Sequence, residues 1–75
     1  MDTHFIQFRN NTGKVIEVRV PACLEGAQIV SVTHLDSQPF LLLNPGNENF
    51  VYVRMPSDYE ETESVWWSFA GYRRA

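Results

Sequence analysis

Asp58-Tyr59-Glu60-Glu61-Thr62-Glu63-Ser64-Val65-Trp66-Trp67-Ser68-Phe69-Ala70-Gly71-Tyr72-Arg73-Arg74-Ala75 is the stretch on which the fold turns. Two readings compete for it. Ser57 followed by Glu60 fits a capping box, the acids at Asp58, Glu60 and Glu61 suit a helix N-terminus, and Gly71 could close a last turn. Against the helix, Val65, Trp66, Trp67, Phe69 and Tyr72 are β-branched or aromatic types that favour strands. Trp67 also falls off the stripe that Tyr59, Thr62, Trp66, Phe69 and Ala70 would form. The stronger reading is an acidic loop followed by a strand.

Upstream, a period of two dominates. Ile6 and Phe8 alternate with Gln7 and Arg9, and Ile16, Val18 and Val20 alternate with Glu17 and Arg19. Asn10, Asn11, Thr12 and Gly13 between them supply hairpin chemistry. The same four residues contain the sequon Asn10-Asn11-Thr12, read here as a turn. Pro21 ends the second strand, and Pro21 to Gly26 forms a loop with one helical turn around Ala22 and Leu24. Gln28 to Leu35 reads as a third strand with Val30, Val32 and His34 on one side. Asp36, Ser37, Gln38 and Pro39 read as a turn. Phe40 to Leu43 is a continuous apolar run, the pattern of a strand covered on both faces. Asn44, Pro45, Gly46 and Asn47 match a type II turn, and Phe50 to Met55 returns as the partner strand before Pro56 stops it.

These elements predict one all-β domain over residues 1–75, a small sandwich or partly closed barrel of five or six mostly antiparallel strands. The expected core is Ile6, Phe8, Ile16, Val18, Val30, Val32, Leu42, Val51, Val53 and one of the two tryptophans. The alternative is an α+β fold, a five-stranded sheet with one C-terminal helix.

A chain of 75 residues buries only roughly 60% of the surface its unfolded form exposes. The single cysteine, Cys23, excludes an internal disulfide, and 44% hydrophobic content is what compensates. A net charge of −3, with no basic run longer than Arg73-Arg74, argues against a nucleic-acid partner. No basic-then-apolar leader and no long apolar stretch is visible, so the expectation is a cytoplasmic protein with no membrane partner.

Chemistry-bearing motifs are sparse. His4, Cys23 and His34 are ligand types whose spacing matches no metal pair, so no metal or cofactor is expected. The two histidines are read as partly buried rings at sheet ends, and Cys23 as a small residue packed beneath a loop. Cys23 with a histidine and Asp36 lacks any nucleophile signature, and a domain this small has little room for both a core and a pocket. The chain is therefore read as non-enzymatic.

What remains is the acidic and aromatic C-terminal surface. Asp58, Tyr59, Glu60, Glu61, Glu63, Trp66 and Trp67 are the candidate protein-binding residues: the carboxylates steer toward a basic surface, and adjacent tryptophans on a strand point to opposite faces, so one is free to anchor a partner. The expected role is a small inhibitor, adaptor or accessory subunit. Phage-type anti-defence inhibitors and other blockers of nucleic-acid machinery share this size and acidity, an analogy of bulk properties. The alternative is a carbohydrate or small-ligand domain with Trp66, Trp67, Tyr52 and Tyr72 as an aromatic platform. A homodimer is also expected, through Phe40 to Leu43 or Val65 to Phe69, with Arg73 and Arg74 meeting the acids of Asp58 to Glu63 across a two-fold axis.

Overall fold

The alternation in the first twenty positions resolves into a hairpin of β1 (Thr3–Asn10) and β2 (Val15–Pro21). The computed structural model describes residues 3–46 and 49–74. His4 lies opposite Val20, Ile6 opposite Val18 and Phe8 opposite Ile16, and all six are buried. Residues directly opposite in an antiparallel pair share a face, so this register sets one apolar face. The connection is built by Asn10, whose buried Oδ1 accepts from Thr12 N (3.0 Å), Thr12 Oγ1 (2.7 Å) and Lys14 N (2.9 Å). The sequon is thus a turn motif whose asparagine oxygen is engaged by Thr12 and Lys14.

A single 3-10 turn, Ala22–Leu24, leads into a second antiparallel sheet of β3 (Gln28–Leu35), β4 (Gln38–Asn44) and β5 (Val51–Arg54), in the order β3-β4-β5. Asp36 and Ser37 alone make the β3–β4 turn, both at positive φ (51° and 66°), the geometry whose twist matches a two-residue hairpin. Gln38 and Pro39 therefore belong to the strand and not to the turn. Pro39 is tolerated in this central strand because its carbonyl accepts Met55 N (3.1 Å) just where β5 has ended, so the ladder bond that proline lacks falls at the sheet margin. Of the type II turn read at 44–47, Gly46 has φ 105° and its N–H donates to Asn44 Oδ1 (3.0 Å), while Asn47 lies outside the described residues.

The C-terminal segment is a strand, β6 (Trp67–Arg74), antiparallel to β1 and completing a sheet ordered β2-β1-β6. A bulge makes it fit. Gln7 lies opposite Gly71 and Phe8 opposite Phe69, so Ala70 is an extra residue, and Gly71 supplies the φ of 138° that the irregularity needs. The bulge keeps Trp67, Phe69, Tyr72 and Arg74 on the side of Asn10, Phe8, Ile6 and His4.

The two sheets pack as a small sandwich around Ile6, Phe8, Ile16, Val18, Val20, Leu41 and Leu43, with Ala27, Met55 and Tyr59 in the same core. Three expectations about it are corrected. Leu42 is half-buried on the outward face while Leu41 and Leu43 are fully buried, because a continuous apolar run carries no alternation from which to read its inner face. Nor is that run covered on both faces: Phe40 and Leu42 flank Tyr52 and Arg54 outside the sandwich. Val30 is 44% exposed because β3 bulges there, placing Ile29 opposite Leu43 and Val32 opposite Leu41 with both packed on the core.

Candidate functional site

Residues 55–66 bridge the two sheets. Met55 is buried, Pro56 and Tyr59 close a turn (Tyr59 N to Pro56 O, 3.1 Å), and the Tyr59 ring enters the core to stack on Trp67 at 5.4 Å and 30°. Tyr59, grouped by sequence with the contact surface, is thus a floor beneath it: an aromatic ring beside an acidic run reads the same whether it points in or out. Burial, and secondarily the Glu61 carboxylate, push its hydroxyl up to about 12. Trp67 is half-buried, packs on the core and donates from Nε1 to the Glu60 carbonyl, tying loop to strand.

Above this floor the chain reverses between Thr62 and Val65, whose backbones exchange hydrogen bonds of 3.2 and 3.3 Å while Thr62 Oγ1 accepts from Val65 N. Asn11, at the tip of the β1–β2 hairpin, then locks the return. Its Nδ2 donates to Ser64 O (2.8 Å), its Oδ1 accepts Trp66 N (3.1 Å), and its own N–H donates to Trp66 O (3.1 Å). An asparagine can give this donor, acceptor and backbone set at once. The result holds the Trp66 backbone in place while its indole stays 60% exposed. Glu60, Glu61 and Glu63, in the same loop, are exposed and form no ion pair among the described residues, whereas Asp58 lies 3.7 Å from Lys14 in an exposed contact worth little.

Asn11 was not legible as a site residue. Its signal, an asparagine doublet at a hairpin tip, is indistinguishable in sequence from ordinary turn chemistry.

Each of the two C-terminal arginines has an acidic partner within its own chain. Arg73 forms a two-pronged pair with Glu17 (2.6 and 2.9 Å) and lies 4.3 Å above the Phe5 ring, and Arg74 pairs with Glu25. Both belong to β6, whose register brings Arg73 opposite Phe5, beside Glu17 of β2. Hydrogen bonds from Arg73 and then Gln7 hold the Glu17 carboxyl down at about 2, and the bond to Glu17 in turn raises the Arg73 guanidinium.

Tyr52 packs edge-on to Phe40 outside the second sheet, Tyr72 meets His4 and Phe69 on β6, and Trp67 stacks on Tyr59. Among the described residues no ring contact joins two of Trp66, Trp67, Tyr52 and Tyr72.

Of the ligand-type residues, His4 is buried as read, but Cys23 and His34 are exposed, because the 3-10 turn buries none of its residues and β3 ends past the core. Among the described residues no group of three or more His, Cys, Asp or Glu side chains comes together to hold a metal ion, and no helix is long and apolar enough to cross a membrane. No family model, curated protein or solved structure matches the chain.

Proposed function

We propose that this chain is a non-enzymatic protein-binding module, an inhibitor, adaptor or accessory subunit, that seats Trp66 in a partner and sets Asp58, Glu60, Glu61 and Glu63 against a basic surface. The observation that carries the reading is the exposed Trp66 indole on a backbone clamped from both sides by Asn11. A loop already fixed loses little conformational freedom on binding, and tryptophan is the residue type most enriched at interface anchors. The surrounding carboxylates add long-range attraction to cations. A protein surface that otherwise holds nucleic acid has the matching charge, which is where the analogy with small acidic inhibitors rests.

The test compares the tagged chain with Trp66→Ser in capture from host lysate at about 50 and about 300 mM salt, a range over which exposed charges become screened. A protein retained by the parent, released by the variant and weakened at high salt supports the reading. Equal capture by both chains, or none at either salt, ends it. Circular dichroism of the variant checks that the fold is intact.

A further inference from the structure

The opposite end of the first sheet holds a cleft that the loop site does not use. His4 there lies between Val20 of β2 and Arg74 of β6. Its ring is buried, 4% exposed, and its Nδ1 has no hydrogen-bond partner. Buried polar groups in native proteins are satisfied almost without exception, so an orphaned nitrogen in a residue that lines an opening asks what completes it. The opening is a cleft of about 330 Å³ lined by His4, Glu25, Gly26, Tyr72 and Arg74. Gly26 contributes backbone only, and the space where a Cβ would sit is empty. Tyr72 lies 6.2 Å from the His4 ring and edge-on to Phe69 at 5.1 Å, with both phenyl-type rings about half exposed.

The wall has a surplus of donors. Arg74 uses Nη2 on Glu25, which cancels its charge at the rim, yet a guanidinium carries five N–H groups and the others meet no acceptor among the described residues. The imidazole adds at least one more donor, and Glu25 is the one carboxylate in the lining. A ligand that completes this wall brings acceptor oxygens to Arg74 and His4 and an apolar ring to Tyr72, whose own ring is held edge-on by Phe69. We infer that the cleft binds a carboxylate carried on an aromatic body, the chemistry shared by a free aryl-alkanoic acid and by the last residue of a peptide ending in Phe, Tyr or Trp. The register puts it six β1 residues, about 20 Å, from the Asn10–Trp67 end of the sheet where Trp66 is held, so it stands or falls apart from the partner surface.

The experiment titrates the isotope-labelled chain with phenylacetate, phenylacetamide, and N-acetyl-Gly-Phe as free acid and as amide, following backbone amides and the His4 ring nitrogens by NMR. Saturable shifts at His4, Gly26, Tyr72 and Arg74 with at least one acid are expected, with Kd on the order of 1 mM for so small a probe. Both amides should bind at least about tenfold more weakly, since they lack the charge-assisted bonds. Preference for phenylacetate identifies a small molecule as the source of the carboxylate; preference for the dipeptide acid identifies a chain terminus. Arg74→Gln, at an exposed position, should weaken the acid about tenfold or more, while Glu25→Gln, which frees the guanidinium, should tighten it. No saturable shift with either acid at about 10 mM, amides equal to acids, or Arg74→Gln binding like the parent would each overturn the inference.

Discussion

Asn10→Ala removes one side-chain oxygen that accepts three hydrogen bonds, and its cost can be worked from the hairpin. Each bond contributes roughly 0.5–1.5 kcal/mol net, which brackets the loss at about 1.5–4.5 kcal/mol. The donors belong to Thr12 and Lys14, both exposed, so water takes over their N–H groups once the acceptor is gone. That places the expected loss near the lower bound, about 2 kcal/mol. For 75 residues the whole stability is on the order of 4–11 kcal/mol, so this is a large fraction from one atom. In a domain of this length each kcal/mol moves the midpoint by roughly 4–8 °C, giving a fall of about 8–16 °C in a thermal melt followed by near-UV circular dichroism. Asn10→Asp retains the acceptor and should lose less than about 1 kcal/mol. An Asn10→Ala melt within about 2 °C of the parent, or an Asp variant as unstable as the Ala variant, would refute the assignment of the turn to that oxygen.

Leu41→Ala should cost about 2–5 kcal/mol in urea unfolding and Leu42→Ala about 1 kcal/mol or less, because the first is fully buried and the second faces outward. Equal losses would mean the inner face of β4 is misassigned. In acid, Glu17 binds its proton at about pH 2 in the fold against 4.5 when free, so its contribution is present above pH 4.5 and disappears as pH falls toward 2. Unfolding measured across that window should flatten in Glu17→Gln. At the alkaline end Tyr59 is raised from 10.0 to about 12, so the stability tied to its neutral form is complete below pH 10 and is lost between 10 and 12. Phenolate absorbance of the folded chain should show a step near pH 12 that is absent in Tyr59→Phe.

The hairpins and the strand character of the C-terminus were readable because alternation and β-branched or aromatic composition act locally. The inner faces of β3 and β4 were not. Val30 and Val32 share a parity that a bulge at Val30 breaks, and Phe40 to Leu43 offers hydrophobes to both sides, so only the partner strands decide which half is buried. For the candidate site, sequence located the acidic run and divided the tryptophan pair into one packed and one exposed residue, since neighbours on extended chain point opposite ways. It misplaced Tyr59, and it missed Asn11, because the bonds that matter span more than fifty positions and exist only once the hairpin tip meets the loop. The partners of Arg73 and Arg74 were hidden for the same reason: Glu17 and Glu25 become their neighbours only through the register of β6, β1 and β2 and the 3-10 turn.

The strand order has a temporal side. β3, β4 and β5 follow one another in sequence and in space, so that sheet can close as soon as residue 54 has left the ribosome. The β2-β1-β6 sheet cannot, since β1 starts at residue 3 and its second neighbour does not begin until residue 67. For as long as residues 67–74 remain inside the exit tunnel, β1 carries a naked row of amide and carbonyl groups, the state in which a nascent chain recruits stray strands. Holding back β6 on an arrested ribosome should therefore leave a half-made molecule that chaperones retain, and release of some eight residues should convert it at once.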